Sequence, residues 1–361
     1  MRDRIRRPPW NFAVPVLAVL VLAVTWGTKP VAVVLVIVGA LLAGSVLAAV
    51  HHAEVVAHRV GEPFGSLTLA VAVTVIEVAL IVTLMVSGGS ETSTLARDTV
   101  FAAVMITCNG IVGLSVLVGA LKRRVAVFNA EGTASALATV ATLATLSLVV
   151  PRFTTSRPGP EFSAEQLAFA AVASIALYAL FVVVQTVRHR DYFLPVGVET
   201  DDTAHATPPS KREALGSLAV LLVALVAVVG LAKIESPAIE DAVAAIGAPP
   251  SAVGVIIALL VLAPETLAAL RNAQRDRVQT SFNLAFGSAM ASIGLTIPAI
   301  AVASIWLDGP LVLGLGATQI VMLGTTVVAG ALTVLPGRAT LQEGGVHLAL
   351  FAAFLFLAIK P

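Results

Sequence analysis

Charged side chains are scarce in this chain, at 12% of its 361 residues. Soluble globular domains carry about 25%. With 58% hydrophobic residues and a mean hydropathy of +0.97, the composition excludes a water-soluble fold around one buried core. A formal net charge of +1 leaves no electrostatic footprint for nucleic acid. Cysteine is present once, as Cys108 inside an apolar run, so no intrachain disulfide can form. The six histidines include a cluster, His51, His52 and His58 near Glu54, while His189, His205 and His347 are scattered. No HExxH motif occurs, and a membrane di-iron enzyme needs histidine boxes in several places, which counts against an embedded metalloenzyme. The N-terminal Arg2, Arg4, Arg6 and Arg7 precede an apolar run as in a signal peptide. No small-residue cleavage site follows, so the expectation is a retained first helix.

What is abundant is apolar sequence in lengths of about 20 residues, the span of a bilayer. Eleven such runs occur, at about 12–27, 31–50, 66–87, 98–120, 131–150, 163–187, 214–232, 250–270, 282–305, 311–334 and 345–360, the first being short. The fold class expected is an all-α integral membrane protein. With the N-terminus inside, only Lys29, Arg97, Arg152, Arg157, Lys233 and Lys360 of the 22 basic residues fall outside, so the orientation is N-cytoplasmic and C-outside. The absence of a cleavable signal and the short loops suit a bacterial inner membrane.

The longest polar interruption, 188–213, reads as a flexible cytoplasmic loop with acids at Glu199, Asp201 and Asp202. It divides the chain into a tail and first helix (1–30), five spans (31–187), the loop (188–213) and five more spans (214–361). Five helices per block invert the second block, giving two inverted-topology repeats as in many secondary transporters. Residues 47–65, LAAVHHAEVVAHRVGEPFG, read as an amphipathic helix or helix extension at the cytoplasmic interface, ending at Gly61 and Pro63. A surface linker that snorkels its charges is the plainer alternative.

Two acids stand inside the spans, Glu77 and Glu265, each on the second helix of its block. A carboxylate at the bilayer centre costs roughly 2.5–3.5 kcal/mol on insertion scales, so such residues usually mark an ion or proton path. Thr74 shares a helical face with Glu77, and Thr107 and Asn109 offer neutral oxygens from the fourth span. Glu265 follows Pro264, whose missing N–H is expected to break the helix and free carbonyls beside the carboxylate. Ser288 and Ser292 share a face of the next span, where small residues also permit close packing. The set is all oxygen, suited to Ca²⁺ and more weakly to Na⁺ or K⁺. A desolvated carboxylate holds its proton tightly and a bound cation displaces it, so cation and proton compete for the same atoms.

At HHAEVVAHRVGEPFGSLTLAVAVTVIEVALI and PETLAALRNAQRDRVQTSFNLAFGSAMASIGLTIP the chain resembles the cation/proton exchangers of the calcium/cation antiporter superfamily, specifically the bacterial ChaA-type calcium(sodium, potassium)/proton antiporters. The resemblance implies that Glu77 and Glu265 are the paired ion-binding acids, while the inverted halves and Pro264 favour alternating access at a midplane site over a channel. It also implies that Asn109 and Ser288 are their neighbours, and that Glu54, with His52, serves gating or proton access. The implied partners are Ca²⁺, Na⁺ or K⁺, H⁺ and the bilayer; no cofactor is implied. Many calcium exchangers place Gly-Asn before each acid, whereas this chain has Val73-Thr74 and Val261-Leu262 there, which leaves Na⁺ and K⁺ open beside Ca²⁺. A sodium(potassium)/proton antiporter with little Ca²⁺ activity, or a cation channel, are the alternative readings.

Overall fold

The computed structural model describes residues 10–28, 30–61, 64–88, 93–196, 208–306 and 309–361. The basic tail, Lys29, Pro63, His205 and the acids Glu199, Asp201 and Asp202 lie outside the described residues. Among the described residues twelve α-helical segments run in order: α1 Trp10–Thr25, α2 Ala32–Val60, α3 Phe64–Gly88, α4 Leu95–Met105, α5 Val112–Arg123, α6 Ala130–Ala144, α7 Ala164–Val183, α8 Lys211–Ala245, α9 Ser251–Gln274, α10 Val278–Ala303, α11 Ala317–Val334 and α12 Leu341–Ile359. A π-helical turn, Ile106–Ile111, joins α4 to α5, so that 95–123 is one continuous span. Among the described residues ten helices are long and apolar enough to cross a membrane, and α1 is a shorter apolar helix. The protein is thus a multi-pass, all-α membrane protein.

Local signals set several boundaries. Ser163 caps α7 with a reciprocal bond to Gln166, and Ser210 caps α8 with Glu213 in the same way. Asn129 accepts from the Gly132 N–H at the start of α6. The histidine-rich segment is a helix extension: α2 runs unbroken to Val60, and Gly61 ends it at φ +76°. Two expectations fail. α8 does not stop at residue 232 but continues through Lys233 and Glu235 to Ala245. Lys233 lies over the Trp26 ring and the Glu235 carboxylate lies beside Gly39 of α2, and neither side chain ends the helix. Residues 311–316 are not helical, and α11 begins only at Ala317.

The described chain forms two compact units, and each draws on both sides of the long loop. The first comprises Met1–Ser87 and His205–Ala242. In it α1 fits into slots made by glycine. A Cβ on Gly44 of α2 would come within 2.8 Å of Val14, and one on Gly230 of α8 would crowd Leu22. The second comprises Gly88–Ala204 and Val243–Pro361. Its core is the span 95–123, 89% buried over its most apolar stretch, against 17% for α12. α9 packs on α4, α10 on α7, α9 and α6, and α12 on α5. The chain links before α6 and α12 pair as a short antiparallel ladder, Ala126 with Ala339 and Val127 with Arg338. Outer faces carry exposed Phe169, Val172 and Leu180 on α7 and Val321, Val328 and Leu332 on α11. In water these rows would be an aggregation hazard, whereas in lipid they are solvated.

Candidate cation site

On α3, Thr74 and Glu77 are both buried, at 6% and 5% exposure. They sit three residues apart on the stripe that also buries Val73, Ile76, Leu80, Ile81 and Leu84. The helical period that buries the stripe therefore carries the carboxylate inward with it. Thr74 and Glu77 belong to the first unit; Glu265, Asn109, Ser288 and Ser292 belong to the second.

α9 corrects one expectation. The helix is continuous from Ser251 to Gln274, with Pro264 inside it, so no break stands beside Glu265. A proline removes one hydrogen bond, and a helix held by neighbours absorbs that loss without unwinding. The Thr266 hydroxyl meanwhile donates to the Leu262 carbonyl within the same turn, at 2.7 Å. Glu265 is half-buried and lies one turn from Ala269 on the stripe shared with Ala258 and Val261. That stripe meets α10, because the Ser281 hydroxyl donates to the Ala269 carbonyl at 2.6 Å. Ser288 and Ser292 lie on the same face of α10 as Ser281, two and three turns further along. Ser288 is half-buried and Ser292 is 3% exposed. The start of α10 is pinned elsewhere: Gln279 accepts from the Asn129 N–H at 2.7 Å, and Asn283 donates to the Phe193 carbonyl at 2.6 Å.

Asn109 lies in the π-helical turn and is fully buried. Such turns widen a helix by one residue and recur at functional sites. Its side chain is not idle. Nδ2 donates to the Thr326 hydroxyl at 2.9 Å, and Oδ1 faces Nδ1 of His347 at 3.1 Å. Thr107 returns its hydroxyl to the Ala103 carbonyl at 2.7 Å. A second polar cluster borders a cavity of about 260 Å³ at the starts of α4, α9 and α11. There Asp98, 2% exposed, accepts from Nε and Nη2 of Arg97 at 2.8 Å and from Gln319 at 3.4 Å.

The two gating candidates part company. Glu54 is exposed, whereas His52 is fully buried against α1, its Nε2 3.3 Å from the Asn11 carbonyl and its ring edge-on to Phe12.

The sodium/calcium exchanger protein family profile matches residues 30–187 and 216–360. The chain belongs to this family. The exchanger is 44% identical over 98% of its length to a protein named as an ionic transporter, y4hA, of Sinorhizobium fredii, covering 97% of it. It is 36% identical, over 94% of its length and 93% of the relative's, to the sodium-potassium/proton antiporter ChaA of Escherichia coli K12. Its fold matches the crystal structure of the H⁺/Ca²⁺ exchanger CAX with a TM-score of 0.70 at 16% identity, over 96% of this chain and 86% of that one. The exchanger is therefore a cation-exchange transporter. Sequence reading passed over His347, Thr326 and the Arg97–Asp98 pair. A lone histidine in the apolar helix HLALFAAF was the available signal, since a polar group at that depth needs a reason.

Proposed function

We propose that the exchanger moves Ca²⁺, Na⁺ or K⁺ out of the cytoplasm of a bacterial cell in exchange for protons. Glu77 and Glu265 are the acids that carry cation and protons in turn, with Thr74, Asn109, Ser288 and Ser292 as neutral oxygen donors. Each acid comes from one of two five-helix repeats of opposite topology in the inner membrane, with the N-terminus cytoplasmic and the C-terminus outside. Glu54 and His52 serve gating or proton access at the cytoplasmic end of α2. The single observation that carries the reading is an acid on the second helix of each block: Glu77 withdrawn to 5% exposure as the one charged residue of α3, and Glu265 on a buried stripe.

The continuous α9 removes the broken-helix argument for alternating access, and that reading is supported by the two five-helix blocks and by membership of an exchanger family. A sodium(potassium)/proton antiporter with little Ca²⁺ activity is favoured by one observation, the 36% identity to a relative named for sodium and potassium. Everted vesicles bearing a pH-sensitive dye test both. Addition of at least one of Ca²⁺, Na⁺ and K⁺ should dissipate an imposed proton gradient, and the rank order decides the substrate. Failure of all three refutes exchange. Glu77→Gln and Glu265→Gln should each abolish it, and native activity in either variant removes that residue from the site.

A further inference from the structure

The hydrogen bonds around Asn109 form a continuous buried chain. The Thr333 hydroxyl is 3.1 Å from Nε2 of His347, and Nδ1 of His347 is 3.1 Å from Oδ1 of Asn109. Nδ2 of Asn109 donates to the Thr326 hydroxyl at 2.9 Å, which donates to the Met105 sulfur at 3.6 Å. In the arrangement where the amide nitrogen donates to Thr326, its oxygen faces His347, and Nδ1 then carries the ring proton while Nε2 accepts from Thr333. Every group in this chain is buried, with Asn109 at 0%, Thr326 and His347 at 1% and Thr333 at 3% exposure. Successive donors polarise one another in such a low-dielectric setting.

The contact is enforced by backbone proximity. α12 approaches the span 95–123 so closely that a Cβ on Gly113 would stand 3.0 Å from Cβ of His347, and one on Gly344 would stand 3.0 Å from the Leu117 nitrogen. His347 thus projects across a glycine seam into the π-helical turn. An amide oxygen has two lone pairs, and His347 occupies one. The other lone pair accepts from no described side chain.

We propose that His347 is a positioning residue for cation binding: its Nδ1–H fixes the Asn109 amide with the oxygen, not the NH₂ group, available to the ion. This rests on the proposed role of Asn109 in the exchange site. Asn109 is the one amide in the proposed donor set, so a flipped amide replaces a neutral oxygen ligand with a donor that repels the ion. His347 acts through Asn109 and does not itself touch the cation.

The test uses the full chain in proteoliposomes with an internal pH dye, reading KM and Vmax for Na⁺, K⁺ and Ca²⁺ separately. His347→Leu removes the donor and should raise KM for the transported cation about tenfold, the loss of one orienting hydrogen bond, while Vmax stays within about twofold. His347→Asn places an amide N–H where Nδ1 stands and should restore a KM near native. His347→Gln places its N–H nearer the Nε2 position and should behave as the Leu variant does. Native KM in the Leu and Gln variants overturns the proposal, as does an Asn variant indistinguishable from Gln. If the Leu and Gln proteins do not elute as single species, Thr333→Val carries the test. It releases the ring tautomer and should raise KM about threefold, and an unchanged KM there overturns the proposal. Glu265→Gln, run alongside, separates the two levels: native exchange in that variant sinks the site reading itself, whatever the His347 variants do.

Discussion

Gly254, in the first turn of α9, is where that helix meets α4, and replacing it by alanine measures how closely the two must approach. A Cβ there would lie 2.9 Å from the Thr99 nitrogen and 3.1 Å from both the carbonyl carbon and Cβ of Asp98, inside the 3.4 Å at which ordinary contact begins. The crowding atoms are mostly backbone, so no side-chain rotation relieves them, and overpacking of this kind costs about 1–3 kcal/mol. Against this stands the helix-propensity gain of alanine over glycine, about 1 kcal/mol mid-helix and less in a first turn. Gly324 on α11 supplies the comparison, being exposed, mid-helix and without any neighbour within 4 Å of its Cβ position. Gly324→Ala should therefore be stabilising and Gly254→Ala destabilising, separated by about 1–3 kcal/mol. At ~2–4 °C for each kcal/mol in a unit of this size, thermal unfolding in detergent resolves the gap. If both variants rise together in Tm, the α4–α9 approach is not tight and the packing argument fails. The outcome bears on transport because α9 carries Glu265.

The turn between α9 and α10 should respond to acid. Lys122, and with it Arg123, each 3.0 Å from Asp276, hold its carboxyl below the usual carboxylate range. A lowered folded pKa means stability present above the unfolded value, about 4, and lost as pH falls through the folded one. Asp276→Asn should thus melt below the native protein at neutral pH and together with it in strong acid, with a small gap that shrinks in salt because the site is exposed. A variant that melts with the native protein at every pH denies the clamp. In the first unit, Gly44→Leu should expel α1 from its slot and speed proteolysis between α1 and α2, and adding Val14→Ala should partly reverse this by removing the crowded methyl. Equal cleavage in all three proteins would show that α1 is not seated there. Cys108, 3% exposed in the π-helical turn, should resist maleimide in the folded exchanger and react fully in denaturant. Rapid labelling of native protein would contradict its burial.

Much of the fold was legible because membrane burial is a local property. A run of about 20 apolar residues must satisfy its own backbone hydrogen bonds, so each span declares itself without reference to its neighbours. The same logic singles out Glu77, whose carboxylate is conspicuous wherever its helix packs. It fails at Pro264, where proline's missing N–H was expected to break the helix, but packing keeps α9 whole. It fails again at Lys233 and Glu235, which look like the end of a span but lie inside α8, Lys233 over the Trp26 ring and Glu235 beside Gly39. Amphipathic periodicity flagged His51, His52, Glu54 and His58 together. Only the first helix, lying against α2, decides that His52 is buried while Glu54 is exposed.

The sequence alone determined the class of this protein, the places of its ten membrane-length helices along the chain, and the motifs that identify an exchanger, because hydropathy and chain length set these one segment at a time. Tertiary structure alone decided which polar groups meet. Asn109 and His347 are 238 positions apart, and nothing local to either names the other. They are joined by a glycine seam and a π-helical turn, features that cost nothing in hydropathy and take effect only when two helices pack.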